Sequence, residues 1–299
     1  MIIHLFGSRT PVGKAFEEII KVKLNTVKII KYSRIKNDSE YVYIDFTNPK
    51  EFCKNLEGKD SVIISFMPAW ILADFLEKLQ KINPNFFNAF KKIIFCSSSS
   101  AITKKFAINS FDKNLAKNLF KSENKIIKLG KKYNFKTIVI QPSMVYGSYD
   151  EFKDKNFSFL KKLMRVSPFL FIPKNCGKRQ PIYCLELANV FYEFLYSDTS
   201  DKYLNESRLL VGGDFEMTYK EMLLKLQKAS KINDPIRSCR IISIPDNVFI
   251  IISLPLALLS TKMFEANLRI LADLCNFIYQ KDITKIKTEN FPNPKFNNE

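Results

Sequence analysis

Residues 2–15 read Ile2-Ile3-His4-Leu5-Phe6-Gly7-Ser8-Arg9-Thr10-Pro11-Val12-Gly13-Lys14-Ala15. The apolar run Ile2 to Phe6 has the length of one buried strand, and it ends in a turn with glycine at either end. A helical pattern starts at once, with Ala15, Phe16, Ile19 and Ile20 on one face. A buried strand, a tight glycine turn and an immediate helix form a cradle for the phosphates of a dinucleotide. Gly7 lets the chain turn without a Cβ clash, and Gly13 lets the helix lie close to the sheet. The helix N-terminus offers unpaired N–H groups and the positive end of its dipole to a pyrophosphate. Thr10 departs from the pattern, because a second glycine is usual in its place.

The rest of the first half repeats the alternation. Thr26 to Tyr32, Tyr41 to Phe46, Ser61 to Phe66, Lys92 to Cys96 and Thr137 to Gln141 read as strands. Between them, helices are expected briefly after Pro49, near Ile71 to Lys81, and from Asn114 to Tyr133. Strands alternating with helices of ten or more residues predict an α/β fold with a doubly wound parallel sheet, a Rossmann fold. Past Gly147 the pattern loosens into a smaller mixed C-terminal lobe. It holds helices near 157–165, 185–196 and 218–229, a strand at 209–213, and a polar tail from Pro292. The expected division is 1–147 for dinucleotide binding and 148–299 for substrate, with part of 180–199 returning to the first domain.

Composition narrows the function classes. The chain has 299 residues and a net charge of +17. Lysine is spread along its whole length beside many Ile, Asn and Phe, with no block of five like charges. A solvated lysine-rich surface is expected, and no nucleic-acid partner. The six cysteines form no CxxC pair and there is one histidine, so neither a metal site nor a disulfide framework is expected. The strand-like start lacks a basic n-region and an apolar h-region, which points to a cytoplasmic protein. Val248 to Leu259, interrupted by Pro255, is the most apolar stretch and is shorter than a membrane span needs. It is expected to form a buried helix pair, with a peripheral membrane-facing surface as the alternative.

Several motifs then fall in order: the glycine loop, Asp45-Phe46-Thr47, the serines that end the fifth strand, and Gln141-Pro142-Ser143-Met144-Val145-Tyr146-Gly147. Gly177-Lys178-Arg179-Gln180-Pro181 and Glu186-Leu187-Ala188 follow. Together they resemble the extended short-chain dehydrogenase/reductases, specifically the NAD(P)-dependent nucleotide-sugar epimerase/dehydratase group, over nearly the whole chain. The resemblance implies that Gly7, Ser8, Arg9, Thr10, Pro11, Val12 and Gly13 line the cofactor pyrophosphate. Asp45 and Phe46 would flank the adenine, and Phe66 and Met67 the middle of the cofactor. Arg34 stands where an acidic residue would hold an NAD ribose, and a guanidinium there suits a 2′-phosphate, so NADP is favoured over NAD. The substrate implied is a nucleotide diphosphate sugar, with Tyr146, Asn156, Arg179 and Gln180 on the substrate side. A homodimer is a further expectation of the resemblance.

One departure concerns the chemistry. The family carries Tyr-x-x-x-Lys four residues before a Glu that Glu123 matches, and those two places hold Leu115 and Leu119. Neither moves a proton. Two other Tyr-x-x-x-Lys strings occur, at Tyr32 to Lys36 and Tyr149 to Lys153. Ser98 and Ser100 match the serines that hold the reacting sugar hydroxyl, and Lys104 follows as a charged neighbour. Two readings stay open: an NAD(P)-dependent oxidoreductase, epimerase or dehydratase of surface-polysaccharide sugars using Ser98, Ser100 and Lys104, and a catalytically silent NAD(P)-binding module for assembly or sensing.

Overall fold

The computed structural model describes residues 1–24, 27–36, 38–50, 52 and 60–286. Along the first half run β1 (Ile2–Phe6), α1 (Pro11–Lys23), β2 (Lys28–Ser33), β3 (Val42–Tyr43), β4 (Ser61–Ser65) and α2 (Ala69–Ile82). Next come β5 (Phe90–Cys96), α3 (Ser100–Thr103), α4 (Ser110–Tyr133), β6 (Lys136–Pro142), β7 (Val145–Tyr146), α5 (Asn156–Val166) and β8 (Phe169–Pro173). The second half adds β9 (Lys178–Arg179), β10 (Ile182–Tyr183), α6 (Cys184–Tyr196), β11 (Arg208–Gly212), β12 (Met217–Thr218) and α7 (Tyr219–Ala229). Last are β13 (Arg240–Ile244), α8 (Asp246–Leu259), α9 (Thr261–Leu268), β14 (Ile278–Tyr279) and α10 (Gln280–Thr284).

The main sheet has eight strands in the order β14-β11-β6-β5-β4-β1-β2-β3. All its pairings are parallel, as the sequence predicts. Both faces are covered, so side chains alternate between two cores. Ile3 and Leu5 join the core that includes α1 and α6, while Phe6 joins the one beneath α2 and α4. The second core is largely aromatic, with Phe6, Tyr32, Phe52 and Phe75 ring to ring. From β1 the chain winds one way to β2 and the other way to β4. The crevice beyond the carboxyl ends of β1 and β4 is therefore the topological switch point of the sheet.

The second half divides its residues. Strands β11 and β14 extend the main sheet and α6 packs on α1, whereas α5, α7, α8, α9 and the parallel pair β8–β13 build a smaller lobe. Two expectations need amendment and two others are not tested. The third strand shrinks to Val42–Tyr43, because Asp45 Oδ1 accepts hydrogen bonds from Thr47 N (2.7 Å) and Thr47 Oγ1 (2.6 Å) and turns the chain. Most of the helix expected after Pro49, and the tail from Pro292, lie outside the described residues. The expected burial of Val248 to Leu259 is overturned: α8 buries only Phe249 and Ser253. Its neighbour α9 packs against it, with Asn267 Nδ2 donating to Ser253 Oγ at 2.7 Å, yet leaves Ile250, Ile251, Leu254, Leu258 and Leu259 exposed.

Candidate active site

The loop after β1 explains its own departure from the glycine pattern. Thr10 caps α1: its Oγ1 accepts from Gly13 N (3.1 Å) and donates to Gly7 O (2.8 Å), stitching the turn from inside. Pro11 occupies the first turn, where its missing N–H costs nothing. Gly7 has φ +74°, and a Cβ on it would lie 2.7 Å from Met67 N. A Cβ on Gly13 would lie 2.4 Å from Gly7 O. Both glycines are therefore required by close backbone approach.

Ser8 Oγ and Arg9 Nε are buried there without a hydrogen-bond partner. Orphaned donors beside a helix N-terminus fit an anionic group. The Arg9 guanidinium pairs with Asp38 and lies 4.7 Å from the Tyr41 ring centroid. Arg34 is exposed just past β2, Asp45 is exposed, and Phe46 packs on Phe6 and Phe75. Phe66 leans on Phe191 (4.5 Å between centroids) and Phe16, while Met67 is buried in the opposite core.

A second feature lies beyond the carboxyl ends of β5 and β6. A cavity of 720 Å³ is lined by Ser98, Ser100, Lys104, Asn156, Arg179 and Gln180 among other residues. Six residues singled out from the sequence thus meet in one place. Register puts Phe6, Ser65 and Phe95 in one row, so the glycine loop and the serines share an edge of the sheet. Two strand spacings, roughly 10 Å, separate them.

The cavity's charged lining residues are Lys104, Arg179 and Arg269, and none of its lining residues is a carboxylate. Lys104 Nζ donates to Asp112 Oδ1 at 2.7 Å, and Arg269 pairs with Asp112 Oδ2. Burial opposes ionisation of Asp112, but hydrogen bonds from Lys104, Arg269 and Asn109 outweigh it and hold the carboxyl down at about 2. Ser98 Oγ accepts from Ser100 N at 3.1 Å, which leaves the Ser98 hydroxyl proton to donate elsewhere. Tyr219 also lines the cavity; burial pushes its phenol up to about 12. Tyr219 and Arg269 carry no motif and were not singled out by sequence reasoning.

Other predicted residues stand differently. Arg179 is buried, and its guanidinium donates to the carbonyls of Lys178 (2.8 Å), Ala272 (2.6 Å) and Arg269. Burial lowers its pKa. Gln180 bonds Gly213 O, Phe277 O and Phe277 N, so both arms of its amide are committed to the fold. Tyr146 does not line the cavity; it is buried between Phe157 and Tyr183, and desolvation raises its phenol pKa. Neither tyrosine of the alternative Tyr-x-x-x-Lys strings lines the cavity: Tyr32 is buried against His4, and Tyr149 bridges Phe152. Leu119 is buried and Leu115 packs on the same core. Behind them Glu123 receives Gln141 Nε2 (2.8 and 3.0 Å), Arg208 Nε (2.9 Å) and the Ser97 hydroxyl.

No protein-family model matches the chain, and no curated protein does. Solved structures do. One is dTDP-glucose 4,6-dehydratase from Bacillus anthracis in complex with NAD, at 14% identity and TM-score 0.63 over 100% of this chain and 94% of that one. The fold is that of the nucleotide-sugar epimerases and dehydratases. A nucleoside-diphosphate-sugar epimerase from Staphylococcus aureus shares this fold at 16% identity and TM-score 0.63, with both chains covered in full. GDP-mannoheptose C4 reductase from Campylobacter jejuni, with NADP bound, shares it at 14% identity and TM-score 0.57 over 82% of this chain and 87% of that one.

Proposed function

We propose that this protein is a nicotinamide-dependent enzyme acting on a nucleotide diphosphate sugar, in the epimerase, dehydratase or 4-ketoreductase class. The observation that carries this reading is the cationic cavity at Ser98, Ser100 and Lys104, two strands from a glycine loop with orphaned buried donors. Gly7 to Gly13 would hold the pyrophosphate of NAD or NADP, and Phe66 and Met67 are the residues assigned to its middle. A bound nicotinamide would supply the hydride chemistry at the sugar carbon. Ser98 Oγ donates a hydrogen bond to the reacting oxygen and Ser100 helps orient it. Lys104 supplies the positive charge beside that oxygen, steadied by Asp112. Lys104 and Arg269 attract the diphosphate, while Arg179 shapes the wall through its three carbonyls. Asn156, at the start of α5, faces the same cavity. NADP is the proposed form, because Arg34 is exposed past β2 and Arg9 neutralises Asp38 nearby.

A second reading, a catalytically silent dinucleotide-binding module, draws on Leu115 and Leu119, which leave the family's proton-transfer position apolar. Thermal-shift titrations separate the two. Stabilisation by NADP and by UDP-, GDP- or dTDP-sugars supports the enzyme. Stabilisation by the dinucleotide alone supports the silent module, and stabilisation by neither removes both.

A further inference from the structure

Eighteen of the 31 large apolar residues exposed among the described residues fall within residues 102–117, 155–175 and 240–269. These three segments form one face. The Glu265 carboxylate on α9 accepts from Ile108 N at 2.6 Å, Lys262 Nζ lies 3.5 Å from the Phe111 ring centroid, and β8 pairs with β13. Among its residues Leu258 and Leu259 are 92% and 79% exposed, Phe106 88%, Ile108 89% and Val166 74%. So many exposed apolar side chains gathered on adjoining segments mark a docking site.

We propose that this face seats on the anionic surface of a lipid bilayer, with α8 lying in the interface. Charge names the occupant. The same three segments hold twelve basic residues against three acidic ones, and one of the three, Asp112, is buried. Lys105, Lys162, Lys174, Arg240 and Lys262 are exposed around the apolar area. A basic rim around an apolar centre matches acyl chains beneath anionic headgroups. A second copy of the chain would bring the same excess of positive charge to a two-fold contact and be repelled. No described helix is long and apolar enough to cross a membrane, so α8 lies on the bilayer and does not span it. Phe159, Phe171 and Met263 are exposed and also line the cavity, so its mouth opens on this face.

The full-length chain is sedimented with vesicles of phosphatidylcholine alone and of equal parts phosphatidylcholine and phosphatidylglycerol. Binding is expected to the mixed vesicles, weak to the neutral ones, and reduced by salt. Leu258→Glu with Leu259→Glu abolishes it while leaving the melting temperature unchanged, because both side chains already face solvent. Lys105→Gln and Lys262→Gln each lower the partition coefficient about fivefold. The proposal is overturned if the wild-type chain stays in the supernatant with anionic vesicles, or if the double substitution binds as well as wild type. It is also overturned if light scattering finds a dimer that the double substitution dissolves. Because no sugar or cofactor is present, failure here leaves the enzymatic reading intact.

Discussion

Lys104 Nζ stands 2.7 Å from one oxygen of Asp112, and Arg269 approaches the other oxygen of the same buried carboxylate. Two cations on the cavity wall thus share one anion behind it. The Asp112 carboxyl is held at about 2, below its ordinary value near 3.8. In the unfolded chain it takes up a proton as pH falls below about 4, whereas in the folded chain it stays ionised until about 2. Stability is therefore present above that window and lost as pH drops through it, by on the order of 2 kcal/mol. Melting temperatures recorded across pH 2 to 4 (roughly the folded and unfolded midpoints) check this. Asp112→Asn is expected to be less stable at neutral pH and to lack the added acid sensitivity; an unchanged slope would reject the assignment.

The same pair predicts a catalytic phenotype. Lys104→Met and Ser98→Ala are each expected to lower kcat by about a hundredfold, since each removes one group acting on the reacting oxygen. Ser98→Ala should leave KM nearly unchanged, while Lys104→Met should also raise it through lost attraction for the diphosphate. Steady-state kinetics on a nucleotide sugar that shifts the melting temperature provide the check. Wild-type kcat in both variants would dismiss the serine end as the reaction centre.

Much of this was legible in the sequence, for identifiable reasons. Strand and helix periods depend on local patterning, so β1 and α1 could be read from residues a few places apart, and the parallel sheet from the alternation of such elements. Ser98, Ser100, Lys104 and Asn156 could be named together, and do line one cavity, because the motifs beside them keep a fixed order. Arg179 was named, but not what it does in the fold. A guanidinium fork meets carbonyls as readily as phosphate, and its partners near 269–272 lie some ninety residues away. Tyr219 and Arg269 reach the cavity only through tertiary packing and leave no spacing to detect. The exposure of α8 was hidden for a related reason: an apolar run states that it needs a cover, not whether the chain provides one.

Gly13→Ala tests the loop. Its Cβ would meet backbone at 2.4 Å, so no side-chain movement can relieve the contact. The expected outcome is a destabilised fold and loss of the thermal shift with NADP, while any shift with nucleotide sugar persists. Gly7→Ala adds the strain of φ +74° and should cost more, measured by urea unfolding. Full NADP stabilisation of Gly13→Ala would place the dinucleotide elsewhere.

Glu123 is predicted to be structural. It is fully buried and holds Gln141, Arg208 and Ser97 together at the ends of β5 and β6. Glu123→Ala leaves the largely buried Arg208 without its carboxylate and should cost about 3–5 kcal/mol in denaturant unfolding. Glu123→Gln keeps the shape and should cost less. If Glu123→Ala unfolds at the wild-type midpoint, the network contributes nothing.

The chain's single histidine supplies a separate pH signature. His4 sits inside β1 with Nδ1 2.9 Å from Tyr32 Oη, and burial, reinforced by Lys28, lowers its pKa to about 4. Unfolded histidine titrates near 6.5. Between those values the unfolded chain binds a proton that the folded chain refuses, so stability falls as pH is lowered from about 6.5 to about 4. The loss is on the order of 3 kcal/mol, and most of it falls above the Asp112 window. Its ring resonances are the only histidine signals in the spectrum, so an NMR titration reads the folded value directly. A midpoint near 6.5 would mean that β1 is open to water at His4, and the buried strand that carries the glycine loop would then be misplaced.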